Sequence, residues 1–309
     1  MKQIKIFSPA TVANVSCGFD CLGFAVNNLG DTMTFTKTSN KGVKITGIKG
    51  ANLPYDSEKN VASAVTLLML EKHPVDFGID ISIEKGYAPG SGLGSSAASA
   101  AGAAFAVNEL LNRPFTQLEL TKFAMHGEKV ACGSAIADNV AAAIYGGFIL
   151  VQQYEPLSIV KIPVPKELML VAIHPQVKVR TKDAREVLPE KILLTDAVTQ
   201  WANVGGLISG LYSENYEVIA NSLKDIIVEP VRKHLIPHFD LVKEVAINSG
   251  ALSAGISGSG PTIFALCKGE KIAKNVYDAI ENSYKDKGID FTMVYSKINT
   301  EGVKILEQN

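Results

Sequence analysis

Cysteine is scarce in this chain, and its few cysteines form no recognisable pair. They stand at Cys17, Cys21, Cys132 and Cys267, and no two have the spacing C-x-x-C. A zinc site at the first two is disfavoured, because the spacing is wrong and no histidine lies near them in the sequence. The first residues also lack the apolar run of a secretory signal. We therefore expect reduced thiols and a cytoplasmic protein.

Long apolar runs and an excess of charge are missing too. The longest apolar stretch, 140–151, is interrupted by Gly146 and Gly147, whereas a membrane span needs about 20 apolar residues. Lys and Arg number 30 against 31 Asp and Glu, and no run of like charge suits nucleic acid. Hydrophobic residues make up 47% of 309, which favours a folded protein of about two domains. We expect no membrane span and no nucleic-acid partner.

The hydrophobic pattern mixes strands and helices. Strands are predicted over 2–8, 31–37, 43–48, 79–83, 148–153, 168–174, 253–256, 262–267 and 290–295. Helices are predicted over 60–72, 95–111, 116–130, 194–212, 239–249 and 271–284. Thr116 followed by Glu119 predicts a capping box. Strands in runs rather than strict βαβ alternation indicate an α+β fold, and Pro156, Pro163 and Pro165 place a boundary between domains 1–157 and 158–309.

A glycine-rich loop is the strongest chemical signal. Residues 88–98 read APGSGLGSSAA, between a predicted strand and an Ala-rich predicted helix. Gly90, Gly92 and Gly94 carry no Cβ, so a ligand can approach the backbone, and the helix start adds unpaired N–H groups and a positive dipole end. Serine hydroxyls in the loop can bond phosphate oxygens or ligate magnesium. A flexible turn with a serine cap is the simpler alternative, but the pattern favours polyphosphate binding.

Other known phosphate and hydrolase motifs do not fit. A Walker loop needs Gly-Lys, and that pair is absent from the chain. Gly92, Gly94 and Ala97 fit a dinucleotide fingerprint, but another predicted helix follows where a strand ending in an acid is needed. G-x-S-x-G and H-E-x-x-H are also absent. An oxidoreductase is therefore a remote alternative.

Three motifs in order carry a family resemblance. They are SPATVANVSCGFDCLGFAV (8–26), the loop at 88–98, and SAGISGSGPTIFAL (253–266). Together they resemble the GHMP kinases over nearly the whole chain. Segments 9–23, 138–147, 181–189, 227–237 and 255–262 resemble in particular the members that phosphorylate L-homoserine.

The resemblance implies a two-domain fold and an ATP site. The first domain would be α+β, related to a ribosomal-protein and gyrase-type fold, and the second ferredoxin-like. Mg²⁺ would be held by Ser96 and Glu128, and a homodimer is implied. ATP would contact Asn60, Val61, Ala88, Pro89, Gly90, Ser91, Gly92, Leu93, Gly94, Ser95, Ser96, Ala97 and Ala98. A third motif would support this loop through Gly255, Ser257, Gly258, Ser259 and Gly260. A helix N-cap for Asn60 and a hairpin turn for the third motif are the plainer structural alternatives.

The same resemblance supplies a substrate site for L-homoserine, a zwitterion with a hydroxyl. Carboxylates suit its ammonium, and the arginine fork suits its carboxylate. Asp20 and Asp138 would hold the ammonium, and Arg185 and Arg232 the carboxylate. Asn14 would orient the hydroxyl, with Asn139 beside it. Asp20 and Asp138 are the candidates for a general base, but both are committed to the ammonium. We therefore expect in-line transfer with the hydroxyl proton passing to the phosphate. The resemblance implies that the product would be O-phospho-L-homoserine, for threonine biosynthesis.

One position departs from that branch of the family. Its members commonly carry histidine two residues before the Asp-Asn pair, where this chain has Ile136. None of the five histidines (His73, His126, His174, His234 and His238) takes that position. The exact substrate therefore stays open. A mevalonate or diphosphocytidyl-methylerythritol kinase is one alternative, and a non-catalytic ATP-binding sensor is another.

Overall fold

The computed structural model describes residues 1–309 and contains eleven strands. The strands are β1 (Gln3–Ala13), β2 (Leu22–Thr38), β3 (Val43–Lys49), β4 (Gly78–Glu84), β5 (Phe148–Tyr154), β6 (Leu157–Ile162), β7 (Leu168–Pro175), β8 (Ser253–Ile256), β9 (Ile263–Lys268), β10 (Phe291–Lys297) and β11 (Lys304–Gln308). Each strand predicted from the sequence is present. β6 and β11 were not predicted, and β1 and β2 are longer than expected.

Ten helices accompany the strands. They are α1 (Val61–Lys72), α2 (Ser95–Leu110), α3 (Gln117–Cys132), α4 (Asp138–Tyr145), α5 (Thr181–Glu186), α6 (Leu194–Ser213), α7 (Tyr216–Ser222), α8 (Glu229–Arg232), α9 (Phe239–Asn248) and α10 (Glu270–Tyr284). A 3₁₀ turn, Lys233–Leu235, follows α8. All six predicted helices are present, whereas the short helices α4, α5, α7 and α8 were not predicted.

The strands form two sheets, as an α+β fold requires. The first sheet has seven strands in the order β11-β1-β2-β4-β3, with β5 pairing with β2 and β6 with β5. The second has four antiparallel strands in the order β10-β7-β9-β8. The final strand returns to the first sheet. The mixed α+β class is confirmed, and a boundary between 157 and 158 stays a prediction.

Helix α2 lies close against the first sheet because its buried face is made of alanine and glycine. A Cβ at Gly102 would be 2.8 Å from Met33 Sδ and 3.0 Å from Ile6 Cδ1. At the start of the helix there is even less room, since a Cβ at Gly94 would be 2.1 Å from Thr11 Oγ1 and 2.7 Å from Asn139 Oδ1. The small residues of α2 therefore bring its first turn against the end of β1.

The helix ends around this point differ in how they are capped. Asn60 Oδ1 accepts from the Ala62 N–H at the start of α1, and Thr116 and Glu119 form the predicted capping box of α3. Gly94 precedes α2 with a φ of 66° and offers no side-chain cap. The first N–H groups of α2 are thus left for another partner.

One apolar cluster joins the two sheets. Phe24 and Phe148 belong to the first sheet, and their ring centroids are 4.7 Å apart. Phe264 belongs to the second sheet, and its ring centroid is 6.2 Å from that of Phe24. The Gly258 N–H also donates to the Ala13 carbonyl at 3.0 Å. None of the helices is long and apolar enough to span a membrane.

Candidate active site

A single cleft of about 460 Å³ collects most of the predicted site residues. Those on its lining are Asn14, Asp20, Asn60, Val61, Pro89, Gly90, Gly92, Gly94, Ser95, Ser96, Glu128, Asp138, Asn139, Arg185, Arg232, Gly258 and Ser259. Its size is that of a small-molecule site. One wall is the glycine-rich loop, and charged side chains from α4, α5 and α8 stand elsewhere on the lining.

The loop has the backbone that its glycines predicted. Gly90, Gly92 and Gly94 have φ angles of 77°, 83° and 66°, a region that side chains strongly disfavour. The loop runs directly into the uncapped start of α2. Free N–H groups and the positive end of the helix dipole therefore face the cleft, which suits a phosphate group.

The third motif supports the loop from behind. It is the turn of the β8–β9 hairpin, so the plainer structural expectation holds as well. Ser257 Oγ donates to the Gly92 carbonyl at 2.7 Å, and Thr262 Oγ1 donates to the Ser91 carbonyl at 2.6 Å. Predicted residues of the two motifs that stay outside the cleft lining are Ala88, Ser91, Leu93, Ala97, Ala98, Gly255, Ser257 and Gly260. Of these, Ser257 and Ser91 take part in the hydrogen bonds that hold the loop against the third motif.

Ser96 and Glu128 meet at the start of α2. The Glu128 side chain is buried at 8% exposure, and its Oε1 has no hydrogen-bond partner. Burial raises the pKa of Glu128 to about 7, while the Ser96 hydroxyl and the Lys85 ammonium favour the charged form. An unpartnered carboxylate oxygen beside a hydroxyl is a donor set that fits Mg²⁺. No cluster of three His, Cys, Asp or Glu side chains competes as a metal site.

Asn60 is the N-cap of α1, and both polar atoms of its side chain are hydrogen-bonded. Its Oδ1 accepts from Ala62 N at 3.0 Å, and its Nδ2 donates to the Pro54 carbonyl at 2.9 Å. The N-cap expectation is confirmed. Asn60 and Val61 also line the cleft, and their contact with adenine stays a prediction.

Two aspartate carboxylates, Asp20 and Asp138, stand on the cleft lining. Asp138 is the first residue of α4 and is buried at 2% exposure. Burial and the neighbouring Asp20 charge raise the pKa of Asp138 to about 7. Asp20 is half-buried and pairs with Arg185, with Oδ1 3.1 Å from Nη2. Asp20, predicted to bind the substrate ammonium, and Arg185, predicted to bind the substrate carboxylate, thus contact each other in the free protein.

Arg232 is more deeply fixed than Arg185. Its Nε donates to the Ala184 carbonyl at 2.7 Å and its Nη1 to the Gly258 carbonyl at 3.3 Å. Its guanidinium lies 4.8 Å from the centroid of the Phe19 ring. Burial and the nearby Arg185 lower the pKa of Arg232 to about 10. The Arg232 guanidinium is therefore held in place by the protein, and its Nη2 is left for a ligand.

The two asparagines connect this pocket to its surroundings. Asn14 Oδ1 accepts from the Asp20 N–H, and Asn14 Nδ2 donates to the Gly258 carbonyl, both at 2.8 Å. Asn139 Oδ1 accepts from Thr11 Oγ1 at 2.6 Å. Each amide keeps an N–H that can face a substrate hydroxyl. Their orienting role stays a prediction.

Sequence reasoning missed some polar residues at the site. Lys85 lines the cleft from the residue after β4, and Tyr154 Oη contacts the Asp20 carbonyl and the Ala137 N–H, both at 3.3 Å. Lys85 stands three residues before the loop of residues 88–98, and that position alone is only a weak signal. Ile136 lines the cleft, and no histidine does.

A phosphate loop that opens into a charged pocket, on two packed sheets, defines the class: a kinase of small molecules. Family models agree with that class. The model for the GHMP kinases N terminal domain matches residues 60–147, and the model for GHMP kinases C terminal matches residues 207–286. The chain belongs to the GHMP kinase family.

Similar proteins cover its full length. A homoserine kinase of Chlorobium phaeovibrioides is 46% identical over 99% of this chain and 100% of its own length. One of Chlorobium phaeobacteroides is 44% identical over the same shares. A crystal structure of homoserine kinase from Cytophaga hutchinsonii has 49% identity and a TM-score of 0.96, covering 99% of this chain and 98% of that one. The expected fold and phosphotransferase activity are confirmed.

Proposed function

We propose that this chain transfers the γ-phosphoryl group of ATP to the hydroxyl of L-homoserine, giving O-phospho-L-homoserine for threonine biosynthesis. One observation carries the proposal: the phosphate loop shares its cleft with two carboxylates and two arginines. A zwitterionic alcohol satisfies both signs at once. The names of the similar proteins support the same substrate.

Each charged group of the substrate has a partner on the lining. Asp20 and Asp138 bind the ammonium, which relieves the repulsion between their two carboxylates. Arg232 and Arg185 bind the carboxylate, and for this Arg185 exchanges Asp20 for the substrate. Arg232 keeps its charge at neutral pH, because its lowered pKa is still about 10.

The hydroxyl is oriented by amides rather than activated by a base. Asn14 and Asn139 stand on the cleft lining with a free N–H each. Asp138 carries a pKa of about 7 in the free protein, but an ammonium beside it lowers that value and commits the carboxylate to binding. We therefore keep the expectation that the hydroxyl proton passes to the transferred phosphate.

Mg²⁺ fits the unpartnered oxygen of Glu128 and the hydroxyl of Ser96. When bound, it neutralises charge on the transferring phosphate oxygens. The chain itself contributes the loop N–H groups, which hold the phosphates in place. Asn60 and Val61 form the wall assigned to adenine.

Two copies of the chain pair through helix α6. Leu194, Val198, Trp201 and Tyr212 are exposed at 72%, 47%, 58% and 58%, and their spacing puts them on one helix face. Gly205, on the same face, leaves room for a close neighbour. W201E is expected to convert a dimer into a monomer by light scattering, and an unchanged mass would place the contact elsewhere.

The test is magnesium-dependent ADP release with L-homoserine beside mevalonate, L-serine and L-threonine. Stimulation by L-homoserine well above the other three is expected. Stimulation by mevalonate would move the substrate to the related alternative, which lacks an ammonium. Tight ATP binding with no stimulation would favour the non-catalytic sensor.

A further inference from the structure

A buried ion pair lies directly beneath the phosphate loop. Lys85 is the residue after β4, its side chain is 1% exposed, and the Asp31 side chain is fully buried. Lys85 Nζ donates to three acceptors: Asp31 Oδ2, the Ser95 carbonyl at 2.8 Å, and Ser99 Oγ at 3.1 Å. All three N–H bonds of the ammonium are therefore used within the protein.

The pair touches both ends of the loop. On the entry side, Asp31 Oδ1 accepts from the Gly86 N–H at 3.4 Å. On the exit side, Lys85 holds the carbonyl of Ser95, the first residue of α2. One side-chain contact therefore holds each end of the segment 86–95, which contains the glycines of the phosphate loop.

The same contacts fix the direction of the helix start. The Ser95–Ser96 peptide is planar, so holding the Ser95 carbonyl on one side directs the Ser96 N–H to the other. Ser99 stands one turn further along α2, and its hydroxyl also contacts Asp31 Oδ2 at 3.1 Å. Two anchors a turn apart hold the helix against rotation about its axis.

We propose that Lys85 is a positioning residue for the nucleotide, acting with Asp31 as a clasp across the phosphate loop. The clasp sets the Ser96 N–H and side chain before a phosphate arrives, so the loop spends little binding energy on ordering. It rests on the proposed function only in taking this loop as the nucleotide site. Loosening the clasp weakens nucleotide binding and leaves the amino-acid pocket unchanged.

The experiment separates positioning from stability by removing both charges. K85M leaves Asp31 buried and unpaired and should unfold easily. D31L/K85M replaces the pair with apolar side chains, a change that is often neutral for stability. We expect its melting temperature to return near that of the wild type. Its dissociation constant for ADP, measured by calorimetry, should stay raised about tenfold or more, because a backbone N–H no longer meets the phosphate.

A milder variant covers the case in which the double variant does not fold. S99A removes one anchor and should weaken ADP binding about threefold with little change in melting temperature. S253A is the matched control: it removes another buried serine hydroxyl, which donates to the Leu223 carbonyl at 2.8 Å outside the cleft lining. It should bind ADP as the wild type does.

Two results would overturn the proposal. One is wild-type ADP affinity in a folded D31L/K85M variant, which would make the pair purely structural. The other is wild-type affinity in S99A. ADP binding needs no acceptor alcohol, so these outcomes are independent of whether L-homoserine proves to be the substrate.

Discussion

Asp138 shows how burial changes the ionisation of a single residue. Its carboxylate is almost inaccessible and lies near a second one, and both conditions raise its pKa to about 7. An ordinary aspartate is ionised at this pH. On the proposed function, the substrate ammonium relieves the cost of keeping Asp138 charged, so binding and loss of the proton occur together.

Binding of L-homoserine should therefore release protons near and below pH 7. The empty carboxylate is protonated as the pH falls through about 7, so the affinity should fall in the same direction. Calorimetry without nucleotide, in two buffers of different ionisation enthalpy, measures the release. D138N should bind more weakly and lose this pH dependence. Proton uptake on binding would contradict the ammonium role.

Arg185 offers a second test at the level of one side chain. R185A should reduce L-homoserine affinity by about 30- to 900-fold, equivalent to ~2–4 kcal/mol, because the substrate carboxylate loses a charged partner. ATP affinity should not change. R180A is the matched control, since Arg180 pairs with Asp183 in the same segment and does not line the cleft. Equal losses in both variants would refute the assignment.

Among the elements, the phosphate loop depends on space as much as on backbone angle. Gly90 and Gly92 have similar φ angles. A Cβ at Gly90 would meet nothing within 4 Å, whereas one at Gly92 would lie 2.6 Å from the Ser257 carbonyl oxygen and 2.7 Å from that of Gly260. An alanine at Gly90 would therefore meet only backbone strain, whereas an alanine at Gly92 would meet the same strain and a steric clash.

G90A should lower the stability of the free protein by about 1–2 kcal/mol, the cost of a side chain at positive φ. G92A should cost about 3 kcal/mol or more, because backbone carbonyls of the third motif cannot move aside easily. Thermal unfolding without ligand gives the comparison. Equal effects would mean that the β8–β9 turn does not press on the loop.

Long periodic elements and the loop could be predicted from the sequence because their signals are local. The capping box of Thr116 and Glu119 and the alanine face of α2 are examples. The four-residue helix α8 is too short to show a periodic pattern, although Asp225 accepts hydrogen bonds from the Val228 and Glu229 N–H groups at its start. The contact of Asp20 with Arg185 joins residues far apart in sequence, so no spacing rule could reveal it. Lys85 was missed because a single lysine at a strand end has no periodicity.

At the scale of the whole molecule, one of the apolar clusters extends across both sheets. Val12 and Phe24 of the first sheet pack with Leu170 and Phe264 of the second, and the loop is held by the β8–β9 turn. We therefore expect the two sheets to lose their packing together.

Calorimetry should therefore show one unfolding transition for the ligand-free chain. F264A should lower that transition as a whole, since it opens the shared cluster, with a loss of about 3–5 kcal/mol. Y277F, a change on the half-exposed face of α10, is the control and should leave it nearly unaltered. Two separate transitions would show that the sheets unfold on their own.

On the proposed function, the contact between Asp20 and Arg185 makes substrate entry an exchange of charged partners. The free protein already holds a carboxylate against a guanidinium, and the incoming zwitterion divides them and gives each a new counterpart. A molecule with only one charge, such as 4-hydroxybutyrate or 3-aminopropanol, breaks the same contact but leaves one member without compensation. The loss of affinity for such analogues should therefore exceed the contribution of the one missing group, because the unpaired charge left in the cleft adds its own cost.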